Sequence, residues 1–171
     1  TIDLTSGGRE ITNESPASLG RGLQRISGLK NLNLNFYRCT NISDVGVDYL
    51  CRGLKHLIHL QTLSLDLGKD TCNNDWYTEN QVGFSQIGQA FKRLGYLETM
   101  ALSICREYSS KYYDGLEFLS QGFKRSNVIS LKTIKLKLKG FYKISGDKLY
   151  DLCKNLGQLP LFENVHFIFQ E

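Results

Sequence analysis

One phrase recurs along this chain and leaves few folds open to it: apolar-x-x-apolar-x-apolar-x-apolar. It occurs at Leu29-Leu32-Leu34-Phe36, Leu60-Leu63-Leu65-Leu67, Leu97-Met100-Leu102-Ile104, Leu131-Ile134-Leu136-Leu138 and Phe162-Val165-Phe167-Phe169. The first members of successive copies are 31, 37, 34 and 31 residues apart. A near-constant period of this size marks a repeat architecture, in which each unit buries its apolar side only against its neighbours. The last three anchors of each copy alternate with period two, the pattern of a short strand with one buried face. A truncated copy opens the chain, where Ile2 and Leu4 stand 30 residues before Leu32 and Leu34.

Between the strands a second block recurs in register: Leu19-Gly20-Arg21-Gly22-Leu23, Leu50-Cys51-Arg52-Gly53-Leu54, Ile87-Gly88-Gln89-Ala90-Phe91, Leu119-Ser120-Gln121-Gly122-Phe123 and Leu152-Cys153-Lys154-Asn155-Leu156. Three residues upstream lies an apolar column of Pro16, Val47, Phe84, Leu116 and Leu149; three residues downstream lie Ile26, Leu57, Leu94 and Leu159. Steps of three, four and three put these residues on one stripe of a helix. Ser43 or Asp44, Asn80, Asp114 and Ser145 are the expected helix starts, being residue types that accept from unpaired amides at a helix N-terminus. Glycine inside a helix is unfavourable by about 1 kcal/mol against alanine. The small residues of the block are therefore expected to repay that loss by letting each helix lie close to the sheet.

Parallel strands stack about 4.8 Å apart, whereas a helix with its side chains is about 10 Å wide. A stack of such units must bend, with strands on the inside of the arc.

These residues resemble the leucine-rich-repeat family, in particular its ribonuclease-inhibitor-like and cysteine-containing subclasses. Asn41-Ile42-Ser43-Asp44-Val45-Gly46 looks like the Ile-Thr/Ser-Asp-x-Gly step of those subclasses, and Ile11 and Ile144 repeat its isoleucine. The periods exceed the 20 to 29 residues usual for this repeat, because the segments between strand and helix are lengthened. An asparagine ladder after the strand is missing: Tyr37, Gly68, Cys105, Lys139 and Gln170 hold those positions. The resemblance implies an α/β fold, a right-handed leucine-rich-repeat solenoid with about six parallel strands on the concave face and about five helices on the convex face. Residues 1–171 are then a single domain, a fragment of a longer array.

Composition bounds the function. At 171 residues and 41% hydrophobic the chain can bury a continuous core, and 21 Lys and Arg against 17 Asp and Glu leave only +4. That balance falls short of a dedicated nucleic-acid footprint. No apolar run is long enough to cross a bilayer, and the opening TIDLTSGGRE lacks the features of a signal peptide. Five cysteines, Cys39, Cys51, Cys72, Cys105 and Cys153, form no close pair and are odd in number, which fits an intracellular, cytoplasmic setting. The sequons at Asn13 and Asn41 are short enough to arise by chance, and neither is taken as a glycan site.

In a strand-and-helix stack of this kind, the side chains between the buried anchors line the open sheet face. Their columns read Asn31, Thr62, Thr99, Thr133, Asn164; then Asn33, Ser64, Ala101, Lys135, His166; then Asn35, Asp66, Ser103, Lys137, Ile168. Lys135, Lys137 and Lys139 project side by side from one strand. They can hold carboxylates or phosphates, although lysines beside an apolar core are more often simply solvated. The lengthened loops carry Arg38, Trp76, Tyr77, Tyr108, Tyr112, Tyr113, Phe141 and Tyr142, expected along one rim, where aromatic side chains supply contact area to a partner or fold back over their own repeat.

Catalytic signals are missing. His56, His59 and His166 have no carboxylate at ligand spacing, Cys51 and Cys153 share a slot with Gly20, Gly88 and Ser120, and no G-x-S-x-G, P-loop, H-E-x-x-H or dinucleotide fingerprint occurs. No enzyme, metal site or cofactor is expected. The leading expectation is a protein-interaction module that uses Asn33, Asn35, Asp66, the lysine strand and the aromatic rim. A structural spacer within a larger assembly is the first alternative, and phosphate or nucleic-acid binding by Lys135, Lys137 and Lys139 the second.

Overall fold

Each alternating run becomes a strand, and each apolar stripe becomes a helix. A computed structural model of the chain describes residues 2–3, 8, 10–68, 82–105, 115–124, 128–139 and 145–170. Its elements run β1 (Ile2–Asp3), α1 (Glu14–Leu23), β2 (Asn31–Asn35), α2 (Asp44–Leu54), β3 (Thr62–Asp66), α3 (Val82–Phe91), β4 (Thr99–Cys105), α4 (Gly115–Phe123), β5 (Thr133–Lys139), α5 (Gly146–Leu156) and β6 (Asn164–Gln170). The fold is α/β. Every strand pairing is parallel and joins sequence neighbours, in the order β1-β2-β3-β4-β5-β6. Five of these strands are five to seven residues long, against about six expected, and the truncated copy at the start forms only the two residues of β1.

The pairing from β2 to β6 follows the repeat phrase residue for residue, so that Leu34, Leu65, Leu102, Leu136 and Phe167 stand in one row. Beneath the strands a second ladder fixes this register. The Lys30 carbonyl accepts from the Gln61 and Thr62 amides at 2.7 and 3.0 Å, and the Gln61 carbonyl accepts from Glu98 and Thr99 at 2.8 and 3.0 Å. Glu98 and Lys132 repeat the pattern toward the next strand. A slip of one residue would break these bonds and turn every leucine outward.

At β1 the register departs from expectation. Ile2 pairs with Leu34 and Asp3 with Asn35, two residues away from the alignment of Ile2 with Leu32. A slip of two leaves each side chain on the same face, so apolar alternation does not distinguish the two registers.

The anchors form one continuous core. Leu32, Leu34, Leu63, Leu65, Met100, Leu102, Ile134 and Leu136 are buried from the sheet side; Leu50, Leu54, Ile87, Phe91, Leu119, Phe123, Leu152 and Leu156 meet them from the helices. Phe91 and Phe123 stack with ring centroids 5.9 Å apart, carrying the core from one repeat to the next. Besides Val165 and Phe169 of β6, which are exposed, two positions differ from the sequence reading. Ile26 is half exposed, and the fully buried Val128 fills the place three residues before Leu131 that Leu57 and Leu94 fill before Leu60 and Leu97. Counting forward from α4 misses Val128 because two extra residues intervene there.

The helices lie in a row, each against the next. The small residues serve this row rather than the approach of helix to sheet. A Cβ on Gly53 of α2 would collide with the Gly20 carbonyl oxygen of α1 and lie 2.6 Å from its Cα; a Cβ on Gly122 of α4 would lie 2.6 Å from the Gly88 Cα of α3. Between α4 and α5 the same pair of positions holds Ser120 and Asn155, and the Asn155 amide donates to the Ser120 hydroxyl at 2.7 Å. The geometry follows from the helix itself. The two small positions are two residues apart, about 200° around the axis, so they flank the core stripe and face opposite neighbours.

Helix starts follow the sequence in part. Ser43 caps α2, accepting from the Val45 amide at 3.3 Å. Ser145 precedes α5 in an extended conformation without a side-chain cap, and Asn80 and Asp114 lie outside the described residues. An unexpected tie links successive units: the Ser43 amide donates to Asn13 Oδ1 at 2.8 Å, and Asn13 Nδ2 donates to the Ser43 hydroxyl at 2.9 Å. This bonding occupies the Asn13 side chain of the first sequon.

Candidate functional site

The strands alternate, so the face opposite the core is built from the residues between the leucines. Three rows cross it from β2 to β6: Asn31, Thr62, Thr99, Thr133, Asn164; Asn33, Ser64, Ala101, Lys135, His166; and Asn35, Asp66, Ser103, Lys137, Ile168. Every one of these side chains is exposed or half-buried. All five helices belong to the row on the other side of the sheet, and no described helix covers this face. The register thus places Asn33, Asn35, Asp66, Lys135 and Lys137 together on one surface, with Lys139 beside Gln170 at the exit of β5.

Two of these residues also have local work. Asn35 Oδ1 accepts from the Tyr37 amide at 3.0 Å, and Asp66 Oδ1 accepts from the Gly68 amide at 2.8 Å. Each closes a turn two residues on, the known habit of Asn and Asp at a chain reversal. The clue in the sequence is an Asn or Asp at the last strand position before a turn. After β2 the chain turns through Arg38 at φ 69°, a left-handed conformation, and the Arg38 amide donates to the Gly68 carbonyl at 3.1 Å. The two turns therefore brace each other.

Charge is unevenly spread over the face. On β5 the lysines are flanked by Ala101 and Ser103 on one side and by His166, Ile168 and Gln170 on the other. The acidic side chain of the three rows is Asp66, two strands from Lys137. Lys132 differs from its strand mates, because its ammonium lies 2.9 Å from Glu98. The hydrogen bond and charge of Glu98 hold its pKa above the ordinary lysine value. Lys132 precedes β5 and lies outside the three rows.

The rim residues Trp76, Tyr77, Tyr108, Tyr112, Tyr113 and Tyr142 lie outside the described residues, as does Phe141. Catalytic chemistry gains no support from the cysteine in α2. Cys51 is fully buried, and burial pushes its thiol up to about 12, with Lys55 lowering and Asp48 raising it by smaller amounts. A thiol held neutral in the core is a packing group rather than a nucleophile. His59 lies against Tyr96, ring centroids 5.7 Å apart, in the connectors after α2 and α3. Among the described residues no group of three or more His, Cys, Asp or Glu is placed to hold a metal. No described helix is long and apolar enough to cross a membrane.

The flank formed by α5 and β6 is a second surface of note. Val165 and Phe169 are 37% and 53% exposed, while the matching anchors on β2 to β5 are buried. Leu161, Tyr150 and Cys153 are exposed on the same flank. No protein-family model matches the chain, and no curated protein matches it.

Proposed function

We propose that this chain is a leucine-rich-repeat-like solenoid, and that it works as a non-catalytic protein-interaction module. The observation that carries the proposal is a sheet face that no described helix covers, where five consecutive strands set three rows of mostly polar side chains. A sheet face without a packed layer is open to a partner. Sequential strand order and a single row of helices support the arc, since strands about 4.8 Å apart must carry helices about 10 Å wide. The rim aromatics Trp76, Tyr77, Tyr108, Tyr112, Tyr113 and Tyr142 belong to the proposal on sequence grounds.

The test blocks the face without touching the core. Ser64→Arg with Ala101→Arg places two long side chains at neighbouring positions of the middle row. A protein retained from source extract by the wild type and lost by this variant, with the circular dichroism unchanged, fits the module. A partner retained equally by both counts against the face.

A second reading, a structural subunit within a larger assembly, rests on the apolar α5–β6 flank. Sedimentation that stays monomeric up to high concentration would count against it.

A further inference from the structure

Resting on the module reading above, we propose that the β5 stretch of the polar face docks an extended, acidic segment of a partner protein. Carboxylates on alternate residues of that segment meet Lys135 and Lys137, with Lys139 next along the same strand. Three observations carry this. Successive lysines on one face of a strand repeat every two residues, about 6.6 Å, which is also the repeat of alternate side chains in an extended peptide. An acidic segment laid along β5 can therefore match the row without distortion.

The positive charge of Lys135 and Lys137 also has no counter-charge among the described residues. Lys135 and Lys137 form no ion pair among the described residues, in contrast to Lys132, which Glu98 holds at 2.9 Å. Their neighbours in register on β4 and β6 carry no carboxylate, and Asp66, two strands away, is engaged with the Gly68 amide. Ammonium groups lined up without counter-charges repel one another, and a partner that supplies carboxylates relieves that repulsion.

The surface also lacks what a nucleic acid or phosphate ligand asks for. Its rows hold no Phe, Tyr or Trp on which a base can stack, and their one ring is the imidazole of His166 on the edge strand. The strand amides under the lysines are spent in the parallel ladder, so the described strands offer no open amide cluster to a phosphate.

The probes are a short labelled peptide of alternating Glu and Ser, its Gln-for-Glu counterpart, inorganic pyrophosphate and a single-stranded oligothymidine of matched charge. Each is titrated by fluorescence anisotropy or competition against the wild type, Lys135→Gln/Lys137→Gln and the helix-face control Lys55→Gln. The Glu peptide is expected to bind, the Gln peptide to fail, and added salt to weaken binding. Loss of two exposed charge pairs is expected to weaken binding about tenfold in the double variant, with no change in the Lys55 control. The proposal is overturned if the Glu peptide does not bind, if the double variant binds it as well as wild type does, or if oligothymidine or pyrophosphate binds more tightly. A partner that Ser64→Arg/Ala101→Arg displaces but Lys135→Gln/Lys137→Gln leaves bound would also overturn it, while the module reading would stand.

Discussion

Gly53→Ala adds a single methyl group to α2, and in an open helix interior it would stabilise the protein by about 1 kcal/mol. The structure reverses the sign. The new Cβ would sit 2.6 Å from the Gly20 Cα and still nearer to the Gly20 carbonyl oxygen, both of them backbone atoms that no rotamer change can move. Ordinary contact begins at 3.4 Å, so α1 and α2 must part by at least 0.8 Å at this point, the difference between that distance and the 2.6 Å to the Gly20 Cα. A gap of about that size forfeits between a quarter and a half of each dispersion contact along the seam. Overpacking penalties reach about 3 kcal/mol, and subtracting the gain in helix propensity leaves a net loss of about 2 kcal/mol. Gly22→Ala is the matched control, since a Cβ there meets nothing within 4 Å; it should stabilise by about 0.5–1 kcal/mol. Urea denaturation followed by far-ultraviolet circular dichroism reads both, with the midpoint of Gly53→Ala falling by about 1 M at unchanged slope. A Gly53→Ala protein as stable as the wild type would refute the reasoning, for it would mean that the helices separate at no cost.

The same experiment extends to three other sites. Leu65→Ala, at a buried position in the central part of the core, should lower stability by about 2–5 kcal/mol in urea denaturation. Asn13→Ala removes both bonds to Ser43 and should lower it by about 1–2 kcal/mol, with Ser43→Ala adding less on top than it does alone. Cys51 gives a pH prediction: its folded pKa of about 12 lies above the ordinary 9.0, so its contribution is intact below pH 9 and is lost as pH rises toward 12. Wild type minus Cys51→Ala stability should therefore fall by about 1 kcal/mol per pH unit across that window, and a flat difference would contradict the burial argument.

How far the sequence speaks for the structure depends on the length scale at which its pattern is redundant. The leucine phrase recurs five times, so strand identity, register from β2 to β6 and the buried row of Leu34, Leu65, Leu102 and Leu136 were all legible. Where only one copy speaks, the reading weakens. Ile2 was placed two residues out of register because alternation is blind to a slip of two, and Val128 was missed because an insertion broke the count from the helix. The glycine columns were recognised but given the wrong neighbour. Periodicity tells which residues flank a stripe, and only the packing of one helix on the next tells what those flanks touch. On the candidate face, residue identities and rows were readable, but the turn-closing bonds of Asn35 and Asp66 depend on local backbone geometry that a column of letters does not display.

The helix row has a consequence for how such a chain can be shortened. Neighbouring helices meet through Gly20 against Gly53 and Gly88 against Gly122, while Cys51 and Ala90 stand at the corresponding positions between α2 and α3, both fully buried. Excising one unit, from β2 through α2, would rejoin the strands without offence, with Ile2 of β1 against Leu65 of β3. It would also bring Ala90 onto Gly20, where a glycine had been needed. Excising two units would set Gly122 there instead and preserve the fit. The sheet can be edited one repeat at a time, but the helix row accepts only cuts that keep a glycine against Gly20, so removal of β2 through α3 is expected to be tolerated better than removal of β2 through α2.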